Sequence, residues 1–143
     1  MTEKNKPDAL IIHCDGGSRN NPGPAAFGYV IRDEQGRTVE RRGEYIGETT
    51  NNVAEYKGII AAARRADELG ARRVVFRLDS QLIERQIAGR YRVKAKHLKP
   101  LFEELKGLLA EIPDCRIEHV RREQNEEADR LANRAMDRRG VVQ

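Results

Sequence analysis

Residues 14–24 read CDGGSRNNPGP, and the apolar-rich run ALIIHC of residues 9–14 leads directly into them. A short apolar run bounded by glycine, asparagine and proline is typical of a buried strand that ends at a loop. The first polar residue after the run is acidic, Asp15. The stretch therefore predicts a strand with a carboxylate at its carboxyl end, in front of a loop rich in turn formers.

The apolar periodicity of the rest of the chain predicts the order β-β-β-α-β-α-α-β-α. Three consecutive strands followed by alternating helices and strands indicate a mixed α/β sheet, with an antiparallel start and parallel additions through right-handed crossovers. We expect residues 1–8 to form a flexible tail and residues 9–139 to form a single domain. The predicted strands are 9–15, 27–33, 37–46, 72–79 and 115–120, and the predicted helices are 51–70, 80–89, 97–111 and 124–138.

The composition favours a globular chain with a heavily charged surface. Apolar residues make up 38% of the chain, and charged residues 35% against a usual level of about 25%. The 27 basic and 23 acidic residues give a net charge of +4, which suits a polyanionic partner without identifying one. Cys14 and Cys115 form no metal-binding pattern, and no apolar stretch is long enough for a membrane span. We expect a cytoplasmic monomer.

Four acidic residues occupy positions that would bring them together. Asp15 and Asp79 end the first and fourth strands, whose carboxyl ends share one edge of the sheet if the strands are parallel neighbours. Glu55 and Asp129 each border the apolar stripe of a helix. Carboxylates without histidine or cysteine ligands favour Mg²⁺ or Mn²⁺. Two such ions roughly 4 Å apart can support phosphodiester cleavage.

Each of these acids also has an ordinary structural interpretation. Asp15 precedes a glycine and could begin a turn. Asp79 stands where a helix N-cap is expected, and Asn52-x-x-Glu55 has the form of a capping box. Asp129 could be one more charge on a solvated helix face. The joint placement of all four favours a shared site over four separate explanations.

Four ordered motifs resemble the type 1 ribonuclease H family over residues 12–137. They are DGGSRNNPGPAAFGYVI after the first strand, TTNNVAEYKGI at the first long helix, LDSQLI at the fourth strand and NEEADRLAN in the last helix. The resemblance implies a five-stranded mixed sheet of order 3-2-1-4-5, with the first three strands antiparallel and helices on its flanks. It also implies that Asp15, Glu55, Asp79 and Asp129 match the family's catalytic, metal-binding carboxylates.

The resemblance further implies endonucleolytic hydrolysis of the RNA strand of an RNA/DNA hybrid, leaving 3′-hydroxyl and 5′-phosphate ends. Two Mg²⁺ or Mn²⁺ ions would act with the substrate bound. Some related compact domains accept double-stranded RNA or RNA–DNA junctions, and the sequence does not decide this. The positions that match the family's contacts to the minor groove are Asn21, Asn51, Asn52 and Gln81, and the position that matches a contact to a DNA-strand phosphate is Thr50. Helix capping and turn formation are an alternative explanation for the TTNN run.

The sequence departs from the family pattern in two places. The basic, tryptophan-rich protrusion of many members is replaced by GRYRVKAKH at residues 89–97, and the chain has no tryptophan. The family's phosphate-pocket asparagine falls on Ala95. The loop before the last helix is short and lacks the histidine that assists product release in many members. This chain therefore resembles the compact branch of the family, and its candidate auxiliary residues are Ser18, Arg121 and Arg122.

Two other functions remain open at this stage. A non-catalytic nucleic-acid-binding module could share the fold, although such a module has little reason to keep mutually repelling carboxylates together. A polynucleotidyl transferase or resolvase would need further domains that this sequence lacks.

Overall fold

The computed structural model describes residues 8–143. The predicted tail, residues 1–8, lies outside the described residues except for Asp8. The main-chain oxygen of Asp8 accepts hydrogen bonds from the backbone N–H groups of Arg72 and Arg73, each at 3.0 Å. Asp8 therefore ties the start of the first strand to the start of the fourth.

Residues 8–143 form a three-layer α/β fold with a mixed sheet between helices. All nine predicted elements are present, and their ends differ from the predicted ones by a few residues. The strands are β1 (Ala9–Ser18), β2 (Gly23–Asp33), β3 (Thr38–Thr49), β4 (Arg73–Leu78), β5 (Asp114–His119) and β6 (Val141–Val142). The helices are α1 (Asn51–Glu68), α2 (Gln81–Ile87), α3 (Lys99–Ala110) and α4 (Glu126–Arg138), and a 3₁₀ turn at Arg122–Asn125 precedes α4.

The strand order within the described range is β5-β4-β1-β2-β3-β6. The pairs β1–β2 and β2–β3 are antiparallel, whereas β4 runs parallel to β1 and β5 runs parallel to β4. The predicted order 3-2-1-4-5 and the antiparallel start are confirmed. Because β1, β4 and β5 are parallel, their carboxyl ends meet at one edge of the sheet, next to one another.

The predicted count of five strands is wrong by one. β6 consists of Val141 and Val142, which pair with Glu44 and Gly43 of β3. Two residues are too few to show the alternation by which a strand is recognised in a sequence. The sheet thus continues past residue 139, the predicted end of the domain, and Val142 is buried.

The helices divide the core between the two faces of the sheet. One face packs against α1 and α3, where the large buried side chains include Ile12, Tyr56, Phe76 and Leu105. The other face packs against α4 over β2 and β3, and its cluster includes Ala26, Val30, Leu131, Ala135 and Val142. No helix within residues 8–143 is both long and apolar enough to cross a membrane.

Two glycines allow α1 and α4 to approach the sheet at backbone distance. A Cβ atom on Gly16 of β1 would lie 2.4 Å from the main-chain oxygen of Ala54 in α1. A Cβ atom on Gly28 of β2 would lie 2.3 Å from the main-chain oxygen of Ala128 in α4. Both distances are far inside van der Waals contact. The close approach brings the residues that follow Ala54 and Ala128, which are Glu55 and Asp129, to the edge of the sheet.

Candidate active site

Three carboxylates converge at the carboxyl edge of the sheet. Asp15 lies in β1, Asp79 follows directly after β4, and Glu55 lies near the amino end of α1. One carboxylate oxygen from each residue lies within 4.8 Å of the other two. The parallel register that pairs Cys14 with Leu78 brings the next residues, Asp15 and Asp79, out at the same level. The structure therefore brings together three of the four predicted acids in one cluster.

The fourth acid, Asp129, lies beside this cluster rather than within it. It lines the same cleft of about 470 Å³ as Asp15, Glu55 and Asp79, and it is close enough to Asp15 to raise the pKa of that residue. Asn133, one turn later in α4, donates from Nδ2 to the main-chain oxygen of Asp129 at 3.0 Å and to its Oδ1 at 3.3 Å. Asp129 is thus held at the rim of the cleft, where it is exposed to solvent.

Crowding perturbs the ionisation of these acids. Burial, the charge of Asp79 and the contact with Asp129 raise the pKa of Asp15 to about 8, against a small opposing hydrogen bond from the Gly16 N–H. Burial and the charge of Asp79 raise the pKa of Glu55 to about 7. Burial also raises the pKa of Asp79, although the charge of Arg122 opposes this. The cluster therefore cannot carry its full negative charge at neutral pH without a compensating cation.

The geometry rules out three of the local structural interpretations. Asp15 lies inside β1, which continues to Ser18, so it does not begin a turn. The N-cap of α2 is Ser80, whose hydroxyl accepts from the Ile83 N–H at 3.3 Å, rather than Asp79. The N-cap of α1 is Thr50 rather than Asn52, so Asn52 and Glu55 form no capping box.

The cluster fits a hard divalent cation on the chemistry of its donors. Asp15, Glu55 and Asp79 offer only carboxylate oxygens, the ligand type that Mg²⁺ and Mn²⁺ prefer. A larger groove of about 690 Å³ lies between α1 and β3, but it offers no such donor set. The four glutamates that line it are each ion-paired with an arginine: Glu40, Glu44, Glu68 and Glu104.

Comparison with known proteins identifies the family. The profile of a family described as "Reverse transcriptase-like" matches residues 13–135. Ribonuclease HI of Halobacterium salinarum is 43% identical to the chain over 137 residues, which cover 96% of this chain and 69% of that protein. The chain belongs to the type 1 ribonuclease H family. Family membership implies dependence on a divalent cation, and the acidic cluster is the donor set that could hold it.

Two further comparisons bear on this ribonuclease H fold. The crystal structure of LC11-RNase H1 in complex with an RNA/DNA hybrid superimposes with a TM-score of 0.87 at 44% identity, over 91% of this chain and 98% of that one. The Bifunctional protein Rv2228c of Mycobacterium tuberculosis is 43% identical over 129 residues, which cover 90% of this chain and 35% of that protein. The chain therefore spans about a third of the length of the mycobacterial relatives that it matches.

The amide residues of the ribonuclease H motifs form one connected group beside the carboxylates. The Asn21 Oδ1 accepts from the Asn51 N–H at 2.9 Å, and the Asn51 Oδ1 accepts from the Ser18 N–H at 2.7 Å and from the Ser18 hydroxyl at 3.1 Å. These bonds join the loop after β1 to the first turn of α1. Asn52, the next residue of α1, lines the same cleft as the carboxylates.

Two other predicted substrate-binding residues begin helices near the cleft. Thr50 caps α1 by accepting from the Val53 N–H at 3.2 Å, so the capping interpretation of the TTNN run holds for this residue. Gln81 is exposed at the first position of α2, two residues after Asp79. Both side chains lie within a few residues of the acidic cluster along the chain.

The two candidate auxiliary arginines differ in position. Arg122 lines the cleft and its charge acts on Asp79. Arg121 is exposed, is not among the residues that line the cleft, and its backbone N–H donates to the Gln124 Oε1 at 3.1 Å. The segment that replaces the tryptophan-rich protrusion contains the exposed Tyr91, and the Arg85 guanidinium of α2 lies 5.3 Å from the centre of its ring.

Sequence reasoning missed two side chains that hold the site together. Arg19 donates to the main-chain oxygen of Asn133 at 3.3 Å and pairs with Asp137 at 2.8 Å, which fastens the loop after β1 to α4. Asn125 is buried and donates to the main-chain oxygen of Cys14 at 2.8 Å. Asn125 lies inside the NEEADRLAN motif, but its partner is 111 residues away in the chain, so the motif alone could not reveal the contact.

Proposed function

We propose that this protein is an endonuclease that hydrolyses the RNA strand of RNA/DNA hybrids and leaves 3′-hydroxyl and 5′-phosphate ends. The observation that carries the proposal is the convergence of Asp15, Glu55 and Asp79 within 4.8 Å, in a cleft that Asn51 and Asn52 of α1 also line. The similar LC11-RNase H1 structure contains an RNA/DNA hybrid, which supports the same substrate class.

Asp15, Glu55, Asp79 and Asp129 would hold two divalent ions, Mg²⁺ or Mn²⁺, when the substrate is bound. Ions held there would supply positive charge to the scissile phosphate and would lower the pKa of the attacking water. The carboxylates would supply the ligands and would determine where the phosphate binds. Because the pKa values of Asp15 and Glu55 are raised, binding a cation would release protons near neutral pH. Ser18 is the one serine, cysteine or histidine among the described residues that line the cleft, and its hydroxyl donates to the Asn51 Oδ1. Water is therefore the proposed nucleophile.

The amide groups would recognise the hybrid as donors. The side-chain oxygens of Asn21 and Asn51 are occupied by the backbone N–H of Asn51 and by Ser18, and their Nδ2 atoms donate to no other side chain or main-chain group that the structure describes. These free N–H groups suit acceptors of the minor groove, including the 2′-hydroxyl oxygen and base edges. Asn52 and Gln81 would add further contacts there, Ser18 would support the loop, and Thr50 would hold a DNA-strand phosphate.

Arginines and lysines would supply the remaining contacts with the nucleic acid. Arg122, which faces the cleft, is the better placed of the two arginines to take part of the role of the missing loop histidine, and Arg121 would contribute from the exposed rim. The exposed basic residues of the segment after α2 would follow the DNA strand: Arg90, Arg92, Lys94, Lys96 and Lys99. Their contribution would appear as a salt-dependent affinity.

We also propose that the chain acts as a monomer with residues 9–139 as its single catalytic domain, extended by β6. A reducing cytoplasm is the proposed location, and it is consistent with two cysteines that are both free.

The decisive experiment is cleavage of an end-labelled RNA/DNA hybrid, with double-stranded RNA, an RNA–DNA junction, duplex DNA and single-stranded RNA in parallel reactions. Each substrate is incubated with Mg²⁺, Mn²⁺ or EDTA. The variant Asp79→Asn removes one carboxylate of the cluster, and Asp114→Asn is its matched control because Asp114 is exposed at the opposite end of the sheet.

We expect internal cuts in the RNA of the hybrid that EDTA and Asp79→Asn abolish and Asp114→Asn preserves. The double-stranded RNA and junction reactions define the breadth of the substrate range, and the two metal series define the preferred ion. Tight binding of the hybrid without cleavage in either metal would refute the proposal and favour a non-catalytic binding module.

A further inference from the structure

Asn125 is the most deeply buried polar side chain near the acidic cluster, with an exposed fraction of 1%. Its Nδ2 donates to the main-chain oxygen of Cys14 at 2.8 Å. A carbonyl oxygen can only accept a hydrogen bond, so the orientation of the Asn125 amide is fixed by its partner. Cys14 immediately precedes Asp15, so this bond joins the entrance of α4 to the strand residue next to the cluster.

Asn125 is the N-cap residue of α4, but it does not cap the helix. An N-cap asparagine usually accepts a hydrogen bond from the second or third N–H of its helix, which contributes about 1 kcal/mol. The Asn125 side chain makes no such bond, and its Oδ1 is buried without a partner among the described residues. A buried, half-satisfied amide is a poor way to stabilise a fold, so stability alone does not account for this residue.

The contacts of α4 show what the Asn125 bond adds. Glu127 pairs with Arg32 of β2 and with Arg41 of β3, the latter at 2.9 Å, and these bonds fix the helix over the far side of the sheet. Asn125 supplies the hydrogen bond from the start of α4 to β1. Asp129 follows Asn125 by four residues, so the two lie on the same side of the helix start, and Asp129 lines the same cleft as Asp15.

We propose that Asn125 is a positioning residue that acts through Asp129: its hydrogen bond to Cys14 sets the separation between Asp129 on α4 and the Asp15–Glu55–Asp79 cluster. The inference rests on the proposed function and deepens it, because it explains how the hydrogen bond between Asn125 and Cys14 positions the fourth carboxylate, Asp129. Without this bond α4 keeps its contacts with β2 and β3, and Arg19 still joins its later turns to the loop after β1, but the start of the helix loses its hydrogen bond to β1. The arrangement of all four carboxylates then loosens, and the affinity for a divalent cation falls.

The test is a double-mutant cycle with Asn125→Leu and Asp129→Asn, read by calorimetric titration with Mn²⁺. Leucine has the same number of heavy atoms as asparagine and removes both the donor and the unpaired Oδ1. Its methyl groups are bulkier than the amide, so a loss of thermal stability from overpacking is expected, and this loss requires a separate control. Loss of a residue that orients metal ligands typically weakens metal affinity or activity by about 10- to 100-fold. We expect Asn125→Leu to weaken Mn²⁺ binding by at least about 10-fold in the wild-type background and by less than about 2-fold in the Asp129→Asn background.

Leu105→Ala is the control for an indirect effect of stability. Leu105 is fully buried in α3 on the other face of the sheet, so this variant lowers the melting temperature and leaves the Mn²⁺ affinity of the folded protein unchanged. Wild-type Mn²⁺ affinity in Asn125→Leu would overturn the proposal, and so would equal losses in both backgrounds. Because the readout is cation binding, the cycle reports on Asn125 even if the protein proves unable to cleave the hybrid.

Discussion

Asp15→Asn is predicted to stabilise the metal-free protein at pH 8 while it removes a proposed metal ligand. Asparagine keeps the size of the side chain and an oxygen that can accept from the Gly16 N–H, a bond of 2.9 Å in the wild type. It removes the negative charge that burial, Asp79 and Asp129 make unfavourable. The prediction therefore tests directly whether the cluster is strained without a cation.

The sign and size follow from the pKa of Asp15, which rises from 3.8 in the unfolded chain to about 8 in the fold. Between these values the folded state holds a proton that the unfolded state has lost, so the free energy of unfolding falls as the pH rises from about 4 to about 8. About four pKa units at roughly 1.36 kcal/mol each set a ceiling near 5–6 kcal/mol. Because the cleft is open to water and the acids can move apart, we expect Asp15→Asn to raise the free energy of unfolding by about 1–3 kcal/mol at pH 8. At pH 4 we expect the variant and the wild type to be about equally stable.

The assay is urea unfolding in EDTA at pH 4 and pH 8 for the wild type and the variant. Added Mn²⁺ should stabilise the wild type by mass action and stabilise Asp15→Asn much less, which reverses their order at pH 8. Equal or lower stability of the variant at pH 8 in EDTA would refute the reasoning, because it would show that the Asp15 charge is not destabilising.

Asp33→Asn is the matched control, because the fold lowers the pKa of Asp33 whereas it raises the pKa of Asp15. Desolvation raises the pKa of Asp33, but the hydrogen bonds from Arg37 and Gln35 and the charge of Arg37 together outweigh it, so the net pKa is lowered. The Asp33 carboxylate therefore contributes stability above its unfolded pKa that is lost as the pH falls through the folded value. Asp33→Asn is expected to destabilise the protein at pH 8 and to do so less at low pH.

Three further predictions follow from single contacts. Gly28→Ala places a methyl group against the Ala128 main-chain oxygen, so α4 must move outward. We expect the free energy of unfolding in urea to fall by about 1–3 kcal/mol and hybrid cleavage to become slower. Unchanged stability would contradict the close approach of α4 to β2. Thr50→Val removes the hydroxyl that accepts from Val53 and should cost about 1 kcal/mol in the same assay, whereas a neutral result would show that the cap contributes nothing. Arg122→Gln removes a positive charge that lowers the pKa of Asp79. The pKa of Asp79 should therefore rise, and the acidic limb of the pH–rate profile should move to higher pH. An unchanged profile would exclude Arg122 from the electrostatics of the cleft.

Most of the fold was predictable because its signals are local in sequence. The apolar runs of β1 and β2, the glycine-containing turn between β2 and β3 and the helical period from Val53 to Ala63 depend on residues a few positions apart. These elements appear with small shifts at their ends. The convergence of Asp15 and Asp79 was also accessible, because parallel neighbours must present their carboxyl ends at one edge. β6 was missed, since its two residues become a strand only when β3 offers its edge to them.

The sequence by itself therefore determined the order of the elements, the family resemblance and the identity of the four acids. Only the tertiary structure decided how those acids are held. The hydrogen bonds between Asn51 and Asn21, between Ser18 and Asn51 and between Asn125 and Cys14 span 30, 33 and 111 residues of chain. Periodicity and motif spacing act over one or two turns, so they carry no information about such partners. The pKa shifts of Asp15 and Glu55 likewise arise from burial and from charges on other elements, which exist only once the sheet and its helices have packed together.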